Sequence, residues 1–345
     1  MKFIFSILIF TGTFSVFAQE EKKPELYVGC VGFWNVENLY DTIDGPNDDD
    51  EFLPQGSNNW IGSRYKTKID HLSQVISQMG TEVTPDGVSV LGLCEIENRS
   101  VLEDLVNAPK LKSRNYKIVH YDSPDKRGVD VALLYNPNYF RVTASKKFRV
   151  ILPYDSTHPT RDILLVSGIF DGEPMHFLVN HWPSRSGGEA RSAPGRVAAA
   201  KICRKAIDSL LAINPNSKIA LMGDLNDDPN NESVKTVLRA REKKEKMKGT
   251  DLYNASYENF KKGIGTLAYQ DTWNLFDQMI FSAGFVNDNN KTYTFSKYKI
   301  FNKPFVRQDY GNFKGYPFRT FAGGQYTGGY SDHFAVYSFF MKEKK

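Results

Sequence analysis

Short hydrophobic runs recur along the chain, separated by stretches rich in glycine, asparagine and charged residues. The runs are rich in Val, Ile, Leu and Phe and are shorter than most helices, which favours buried β-strands. They occupy residues 26–34, 88–94, 116–120, 129–135, 162–170, 175–180, 218–223, 278–282 and 334–341. A chain with this pattern is expected to consist mainly of strands.

Helical spacing of apolar residues appears in a few segments between these runs. It is clearest in Lys66–Met79, where apolar side chains recur every three or four residues. The other predicted helices are Ser100–Val106, Arg196–Leu211 and Ser233–Ala240. Ser100 and Glu103 have the spacing of a capping box. Many strands with few helices predict an α/β fold in which two packed sheets are flanked by helices.

Long stretches without periodicity separate some of these elements. Residues 42–63, 241–266 and 287–327 are rich in Asn, Gly, Lys and aromatic residues, and we expect them to be surface loops. Such loops are either solvated connections or, beside an active site, the segments that select a substrate. For the Lys-rich run 241–248 the first interpretation is favoured.

Residues 1–18 have the organisation of a secretory signal peptide. Lys2 precedes the apolar stretch Phe3–Phe10, and Val16-Phe17-Ala18 offers a small-residue cleavage site. The apolar stretch is too short to span a bilayer comfortably, so an uncleaved anchor is the less favoured alternative. We therefore expect an exported protein, either periplasmic or secreted, that is cleaved near Ala18.

Charge and cysteine content give only weak information about the class of protein. The net charge of +4 is small, so charge alone does not indicate a nucleic-acid-binding protein. Cys30, Cys94 and Cys203 are odd in number and stand in apolar surroundings. We expect them to be buried thiols rather than a disulfide framework.

Polar side chains suited to metal binding or proton transfer follow several predicted strands. They are Asn35 with Glu37, Glu95 with Glu97, Asn180 with His181, Asp224 with Asn226, and Asp332 with His333. An open α/β sheet carries its active site at the ends of its strands. Since these residues come from both ends of the chain, a shared site argues for one domain, residues 19–345 after cleavage.

These residue types are the ones that phosphodiester hydrolysis requires. A hard divalent cation prefers oxygen ligands, and Glu95, directly after a buried strand, is the first choice as principal ligand. Residues that could complete one or two metal positions, or orient the attacking water, are Asn35, Asp224, Asn226 and Asp332. Taken alone, Asp224 or Asn226 could equally be a turn former after a strand.

Two histidines occupy matching positions at strand ends. A lone histidine is more often structural, but His181 and His333 each follow an Asn or Asp, which favours catalysis. Asp130 and Asp277 are available to orient the imidazoles. An imidazole held by a carboxylate can bind or protonate a phosphate group.

Further side chains could contact the substrate. Arg127 and Arg185 could grip phosphate oxygens bidentately, or could be solvated loop arginines. Tyr269, Trp273 and Trp182 could stack on a base or sugar, although packing is the default explanation for such aromatics.

In their order along the chain, these motifs resemble those of the endonuclease/exonuclease/phosphatase superfamily, whose members are similar to pancreatic deoxyribonuclease. The matching segments are Phe33–Asn38, Leu93–Glu97, Arg127–Asp130, Asn180–Ser184, Gly223–Asn226, Phe276–Met279 and Ser331–His333. Each segment is weak evidence alone, but together they occur in the expected order and extend over essentially the whole mature chain. The resemblance implies a four-layer α/β/β/α sandwich of two mixed β-sheets flanked by helices, with the site at one edge of the sheets.

The resemblance also implies a metal centre and an attacking water. Glu95 matches the metal-binding glutamate of the family, Asn35 and Asp332 match its supporting ligands, and Mg²⁺ or Mn²⁺ is the implied cofactor. Asp224 and Asn226 match the pair that orients the nucleophilic water and the phosphate. Attack is then direct, without a covalent enzyme intermediate.

For the histidines, the resemblance implies catalysis by His181 and His333, with Asp130 and Asp277 as their carboxylate partners. The chain departs from the family in two places. Cys94 stands where many members have Gln, and Trp182-Pro183-Ser184 replaces the usual Lys-Ser after the first histidine. The second departure shifts the expected phosphate contact towards Arg185.

Together these inferences predict an exported, metal-dependent phosphodiesterase. A nuclease acting on DNA or RNA is the favoured activity, because scavenging extracellular nucleic acid requires no cellular signal. The main alternative is a phosphomonoesterase or a sphingomyelinase-like phosphodiesterase acting on lipid headgroups. A catalytically inactive binding module is disfavoured, because the expected ligands and both histidines are present. Nucleic acid is the expected partner, and no obligate protein partner is indicated.

Overall fold

The computed structural model of the protein describes residues 25–286 and 290–344. The predicted signal peptide, residues 1–18, lies outside the described residues. The described chain forms two large β-sheets, two small hairpins and a few helices. None of these helices is both long and apolar enough to traverse a bilayer.

The first sheet, sheet 1, joins strands from both ends of the chain. Its strands are β1 (Leu26–Leu39), β2 (Val90–Ile96), β3 (Lys117–His120), β4 (Asp130–Tyr135), β14 (Thr294–Ile300) and β17 (Val336–Glu343). They lie in the order β14-β17-β1-β2-β4-β3. Because β1 pairs in parallel with β2 and antiparallel with β17, the sheet is mixed.

The second sheet, sheet 2, comes from the middle of the chain. Its strands are β5 (Phe140–Phe148), β6 (Ile163–Phe170), β7 (Glu173–His181), β8 (Lys218–Asp224), β9 (Ala240–Arg241), β10 (Leu252–Asn254) and β13 (Asp277–Phe281). They lie in the order β5-β6-β7-β8-β13-β10-β9, with β7 and β8 parallel. The hairpins are β11 (Leu267–Tyr269) with β12 (Thr272–Asn274), and β15 (Phe321–Ala322) with β16 (Gln325–Tyr326).

Four α-helices complete the described chain: α1 (Gly62–Gln78), α2 (Arg99–Asn107), α3 (Glu189–Ile213) and α4 (Tyr257–Lys261). Helix α1 buries Leu72, Val75 and Ile76 on one face, as its apolar spacing predicts. The predicted capping role of Ser100 is wrong. Asn98 caps α2 instead, because its side chain accepts a hydrogen bond from the Val101 amide at 3.1 Å.

Three hydrophobic cores separate four layers. The core between the sheets contains Phe33, Val179 and Met222. Helices α1 and α2 cover the outer face of sheet 1 around Leu91 and Leu102, and α3 covers the outer face of sheet 2. This arrangement confirms the predicted α/β/β/α sandwich of two mixed sheets.

All the predicted strands are present, but the sequence missed others. Strand β5 alternates between buried and exposed positions at a sheet edge, so it has no continuous apolar run. Strands β10, β14, β15 and β16 and helix α4 lie in segments predicted to be loops, and β9 begins at the last residue of the predicted helix 233–240. Conversely, only Ser233–Val237 of the predicted helix 233–240 is helical, as a single π-type turn. Helix α3 also begins earlier than predicted and contains Pro194.

Candidate active site

The alternation of side chains along the strands places polar residues of sheet 2 next to one another on the face that points towards sheet 1. Alternate residues of a strand share one face, and the inward-facing Val179 and Met222 are followed two residues later by His181 and Asp224. On the neighbouring strand, Asp277 comes two residues before the inward-facing Met279. In the strand pairing, both His181 and Asp277 lie opposite Asp224.

The close approach of β7 and β8 requires glycine just before this row. A Cβ atom on Gly223 would lie 2.5 Å from the backbone oxygen of Asn180, closer than any real contact. The glycine of the Gly-Asp-Leu-Asn motif therefore lets strand β8 deliver Asp224 beside His181.

Sheet 1 supplies the opposite wall of the site. The Asn35 amide on β1 donates a hydrogen bond to Asp224 Oδ2 at 3.0 Å, which joins the two sheets. The segment before β17 is tied to β1 because Trp34 Nε1 donates to the His333 carbonyl at 2.9 Å. Ser331 Oγ also donates to the Asn35 carbonyl at 2.7 Å.

Irregular backbone turns the acidic side chains of sheet 1 towards this centre. The pairing of β1 with β2 shifts register between Asn35 and Leu39, and the pairing of β2 with β4 shifts between Cys94 and Ile96. Within these shifts Glu95 has a left-handed φ of 61°, as Glu37 does at 53°. Bulges of this kind re-aim a side chain, at a conformational cost typical of functional sites.

Glu95 keeps one carboxylate oxygen free of hydrogen bonds from the described residues. Its Oε2 accepts from the Asn38 amide at 2.9 Å. Its Oε1 lies 3.8 Å from His181 Nε2. Cys94, the departure from the family pattern, packs in the core between the sheets.

His333 and Asp277 form a buried ion pair. His333 Nδ1 lies 2.7 Å from Asp277 Oδ2, as predicted, and Asp277 has no exposed surface. Burial by itself lowers the pKa of His333, but the negative charges of Asp277 and Asp224 outweigh it and hold the pKa well above its ordinary value. These surroundings favour the protonated form of the buried His333 imidazole, whose Nε2 lies 3.8 Å from Asp224 Oδ2.

Asp224 lies at the centre of the cluster. Its Oδ1 accepts from the Asn226 amide at 2.9 Å, and Asn226 adopts a left-handed φ of 48° to reach it. Burial, opposed by the charge of His333, raises the pKa of Asp224 to about 6. A carboxylate with a pKa near neutrality is suited to accept a proton from water.

His181 is neutral. Burial, reinforced by the positive charges of Arg161 and Arg127, holds the pKa of His181 well below its ordinary value. Its Nε2 lies 3.7 Å from Asp224 Oδ2, and its Nδ1 is buried without a hydrogen-bond partner among the residues that the structure describes.

The predicted pairing of Asp130 with His181 is wrong. Asp130 Oδ2 lies 2.9 Å from His120 Nε2, and its Oδ1 accepts from the Ser123 amide. Both carboxylate oxygens of Asp130 are thus engaged outside the centre. The reason is topological, because Asp130 begins β4, which pairs with β2 and β3 and not with β7.

The two predicted phosphate-binding arginines differ. Arg127 Nη2 donates to Asn38 Oδ1 and lies 4.0 Å from Glu95 Oε2, but about half of the side chain faces solvent at the site, where a substrate can reach it. Arg185 is not available to a substrate, so the prediction that it binds a phosphate group is wrong. Its Nε donates to the Asn226 carbonyl at 3.0 Å, its Nη1 to Glu189, and its guanidinium stacks on Phe276. These contacts give Arg185 a role in supporting the loop after β8.

Trp182 is not available for stacking either. It is 1% exposed, packs against α3 and donates from Nε1 to Asn180 Oδ1 at 3.0 Å. Its carbonyl accepts from Asn226 and from the buried Arg161, so it supports the site from behind. Trp273 and Tyr269 are exposed to solvent.

A second group of charged residues lies beside Asp332 and was missed by the sequence analysis. Lys68 on α1 is 1% exposed, and its Nζ lies 3.9 Å from Glu37 Oε2. Arg319 connects this pair to the centre, with Nη2 2.9 Å from Asp332 Oδ2 and Nε 3.6 Å from Glu37 Oε1. One signal was present, because Lys68 shares the helical spacing of Leu72 and occupies the apolar face of α1.

Oxygen ligands surround the centre in a way that fits a hard divalent cation. Asp224 Oδ2 lies 3.7 Å from His181 Nε2 and 3.8 Å from His333 Nε2. Glu95 Oε1 lies 3.8 Å from His181 Nε2, and Asp332 Oδ1 lies 3.9 Å from His333 Nε2. Carboxylate and amide oxygens are the ligands that Mg²⁺ and Mn²⁺ prefer. Glu95 with its free Oε1, supported by Asn35 and Asp332, would hold the ion. Asp224, Asp277 and His333 are also close enough to share one, but Asp277 and His333 already engage each other.

The four layers and the convergent carboxylates and histidines define a phosphoesterase of the two-sheet sandwich class. A sequence profile of the Endonuclease/Exonuclease/phosphatase family matches residues 30–342, so the chain belongs to this family. It is accordingly a divalent-metal-dependent hydrolase of phosphoric ester bonds. No curated protein sequence matches the chain.

Solved structures share the fold at low sequence identity. A truncated TDP2 from Caenorhabditis elegans is 19% identical, with a TM-score of 0.53 over 91% of this chain and 97% of that one. A family protein from Bacteroides thetaiotaomicron is 16% identical, with a TM-score of 0.53 over 93% and 97%. TDP2 from D. rerio, complexed with a single-strand DNA product, is 14% identical, with a TM-score of 0.52 over 91% and 98%.

Proposed function

We propose that this protein is an exported nuclease that cleaves the phosphodiester bonds of DNA or RNA by direct attack of water, with Mg²⁺ or Mn²⁺ as cofactor. The observation that carries the proposal is the convergence of Glu95, Asp224, His181 and His333 on one centre between the sheets. A phosphate bound there meets a proton acceptor, a proton donor and metal ligands at once.

Each side chain has a role in this proposal. Asp224, positioned by Asn35 and Asn226, accepts a proton from the attacking water. His333, held charged by Asp277, donates a hydrogen bond to a phosphate oxygen. His181 donates a further hydrogen bond.

The cofactor completes this set. Glu95, Asn35 and Asp332 would hold a divalent ion, which would supply positive charge for the phosphate oxygens and the leaving group.

A groove next to the centre carries several arginines, which favours the proposal that the substrate is a polyanion. The groove has a volume of about 620 Å³, and its lining contains Arg127, Arg161 and Arg191 together with the carboxylates of Asp125 and Asp155. Arg161 is neutralised by Asp125 at 3.1 Å, whereas Arg191 has no carboxylate within salt-bridge distance among the described residues. Phosphate groups beyond the scissile one could bind to Arg127 and Arg191. A single-stranded DNA product is bound by the similar D. rerio TDP2, which favours a nucleic acid here too.

A lipid-headgroup phosphodiesterase is the second candidate. Tyr269, Tyr310 and Phe313 are 59–73% exposed, and such aromatic side chains also suit a membrane surface. A nucleic acid is favoured because Arg127, which lies beside Glu95 at the centre, also lines the groove, so phosphates beyond the scissile one would meet further arginines there.

The experiment combines chelation with a substrate panel. The purified mature protein should hydrolyse single-stranded DNA, duplex DNA or RNA with Mg²⁺ or Mn²⁺, and EDTA should abolish the activity. Glu95→Gln should lower turnover at least about a hundredfold. The control Glu103→Gln, an exposed position on α2, should not change it. Turnover of sphingomyelin vesicles alone, or of phosphate monoesters alone, would refute the nuclease assignment.

Export and domain organisation belong to the same proposal. Residues 1–18 would be removed by signal peptidase, leaving residues 19–345 as a single catalytic domain. The described cysteines are free, buried thiols, so the proposed export does not depend on forming a disulfide. Mass spectrometry of the protein purified from its host should find Gln19 as the first residue. Retention of Met1 would contradict the proposed export.

A further inference from the structure

A second cleft shares no lining residue with the arginine-containing groove and is lined by Arg319, the partner of Asp332. It has a volume of about 350 Å³ and lies between the β11–β12 hairpin and residues 308–327. Most of its surface is apolar. Its principal lining side chains are Tyr269, Gln270, Gln308, Phe313, Tyr316 and Arg319.

The aromatic wall of this cleft is braced against the catalytic segment. Tyr316 packs edge-on against Trp273 with ring centroids 5.5 Å apart, and Trp273 stacks on Phe334 at 6.2 Å. Phe334 directly follows His333 in the chain. Phe313 packs on Tyr316 at 5.7 Å and remains 59% exposed. The wall thus presents open ring surface at a fixed position relative to His333.

Arg319 connects the cleft to the catalytic centre. It lines the cleft, and its Nη2 lies 2.9 Å from Asp332 Oδ2. Asp332 Oδ1 in turn lies 3.9 Å from His333 Nε2. A group attached to a phosphate at the centre would therefore reach the cleft past Arg319.

Two amide side chains give the cleft a polar edge. The side chains of Gln270 and Gln308 make no hydrogen bond with any described residue, although the Gln308 backbone is fixed by bonds to Tyr316 and Gly315. Each free amide offers both donors and an acceptor. An acyl chain would pack on the aromatic wall but would make no hydrogen bond with either amide. A planar ring with hydrogen-bonding edges would stack on the aromatic wall and also form hydrogen bonds with the two amides.

We propose that this cleft is a nucleobase subsite, which binds the base of the nucleotide adjoining the scissile phosphate. The inference rests on the proposed nuclease function and deepens it. The base stacks on Phe313 and Tyr269, Gln270 and Gln308 contact its edge, and Arg319 lies between the base and the catalytic centre. Stacking makes the subsite tolerant of base identity, because every base has an aromatic face.

The test compares a dinucleotide with its abasic analogue, which keeps the sugar and phosphate but lacks one base. Wild-type protein with Mn²⁺ should cleave the complete dinucleotide at least about tenfold more efficiently in kcat/KM, a typical effect of one stacked base. The double variant Tyr269→Ala/Phe313→Ala should lose this preference and cleave the abasic analogue at the wild-type rate. Tyr27→Ala, an exposed aromatic at the far end of β1, is the matched control.

Each other outcome has a defined meaning. Equal cleavage of both dinucleotides by wild-type protein would overturn the subsite while leaving the nuclease function intact. A double variant that loses activity on the abasic analogue as well would assign the aromatic residues to folding or catalysis, and this would also overturn it. Cleavage of neither dinucleotide, with turnover of sphingomyelin vesicles that the double variant loses, would refute the nuclease function and assign the cleft to lipid.

Discussion

At the residue scale, the site depends on two titrating groups with opposite requirements. Asp224 must be ionised to accept a proton, and burial raises its pKa to about 6. His333 must be protonated, and the charges of Asp277 and Asp224 overcome the effect of burial and hold its pKa well above the ordinary value. The active form is therefore the imidazolium–carboxylate pair, which should exist over a window around and above neutral pH.

This window predicts a bell-shaped dependence of kcat/KM on pH. The rate should fall as pH drops through about 6, because Asp224 becomes protonated, and a bound divalent cation would move that limb lower. It should fall again at alkaline pH, where His333 loses its proton. In Asp277→Asn the pKa of His333 loses its strongest support, so the alkaline limb should move towards neutrality and kcat should fall by about 10²-fold or more. An alkaline limb that stays in place would show that it does not belong to His333.

The sequence could identify these residues individually, but not all of their partners. Asp277 and His333 were correctly paired because both stand in motifs whose order matched a known family. Asp130 was wrongly paired, since its partner His120 comes from the neighbouring strand β3 and carries no motif. Arg185 likewise has the right residue type at the right place, but its charge is used within the protein.

At the element scale, helix α1 is joined to strand β1 by a buried ion pair. The Lys68 and Glu37 side chains are 1% and 7% exposed, and Lys68 Nζ also donates to Thr320 Oγ1 and the Tyr330 carbonyl. Burial is the main cause that lowers the pKa of Lys68, and it likewise raises the pKa of Glu37. Each charge depends on the other, because an unpaired buried charge is strongly destabilising.

Removing one partner should therefore cost more than removing both. Lys68→Met should lower the free energy of unfolding by about 3 kcal/mol, and Lys68→Met/Glu37→Gln should recover a substantial part of it. Lys66→Met, an exposed lysine on the same helix, should change stability by less than about 0.5 kcal/mol. Urea unfolding followed by circular dichroism would measure all three. A double variant no more stable than Lys68→Met would show that the lost hydrogen bonds of Lys68, and not the unpaired charge, dominate.

Elements were predictable where burial imposes a simple pattern. Strands such as β2 and β8, covered on both faces, are continuous apolar runs and were found. Edge strands β5 and β14 face solvent on part of their length and show no such run. The bulges at Glu37 and Glu95 were not predictable, because register depends on the partner strand and not on local sequence.

At the scale of the whole molecule, the active site is also a junction between the two sheets. Sheet 1 contributes Asn35 and Glu95, sheet 2 contributes His181, Asp224 and Asp277, and Asn35 bonds directly to Asp224. A cation bound by carboxylates of this cluster reduces their mutual repulsion, and only the folded chain assembles the cluster. Metal binding should therefore stabilise the whole fold and not only the site.

This linkage predicts a thermal shift that needs no substrate. At a concentration of Mn²⁺ about a hundred times its Kd, the gain in folding free energy is about 2.7 kcal/mol, which for a chain of this size raises the Tm by a few degrees. Glu95→Gln removes the charge of the principal ligand, so its Tm should rise much less. Glu103→Gln on the surface of α2 should respond as the wild type does. Differential scanning calorimetry with Mn²⁺ and with EDTA would measure the shift. If Glu95→Gln gained as much as the wild type, the ion would bind elsewhere, and Glu95 could not be its principal ligand.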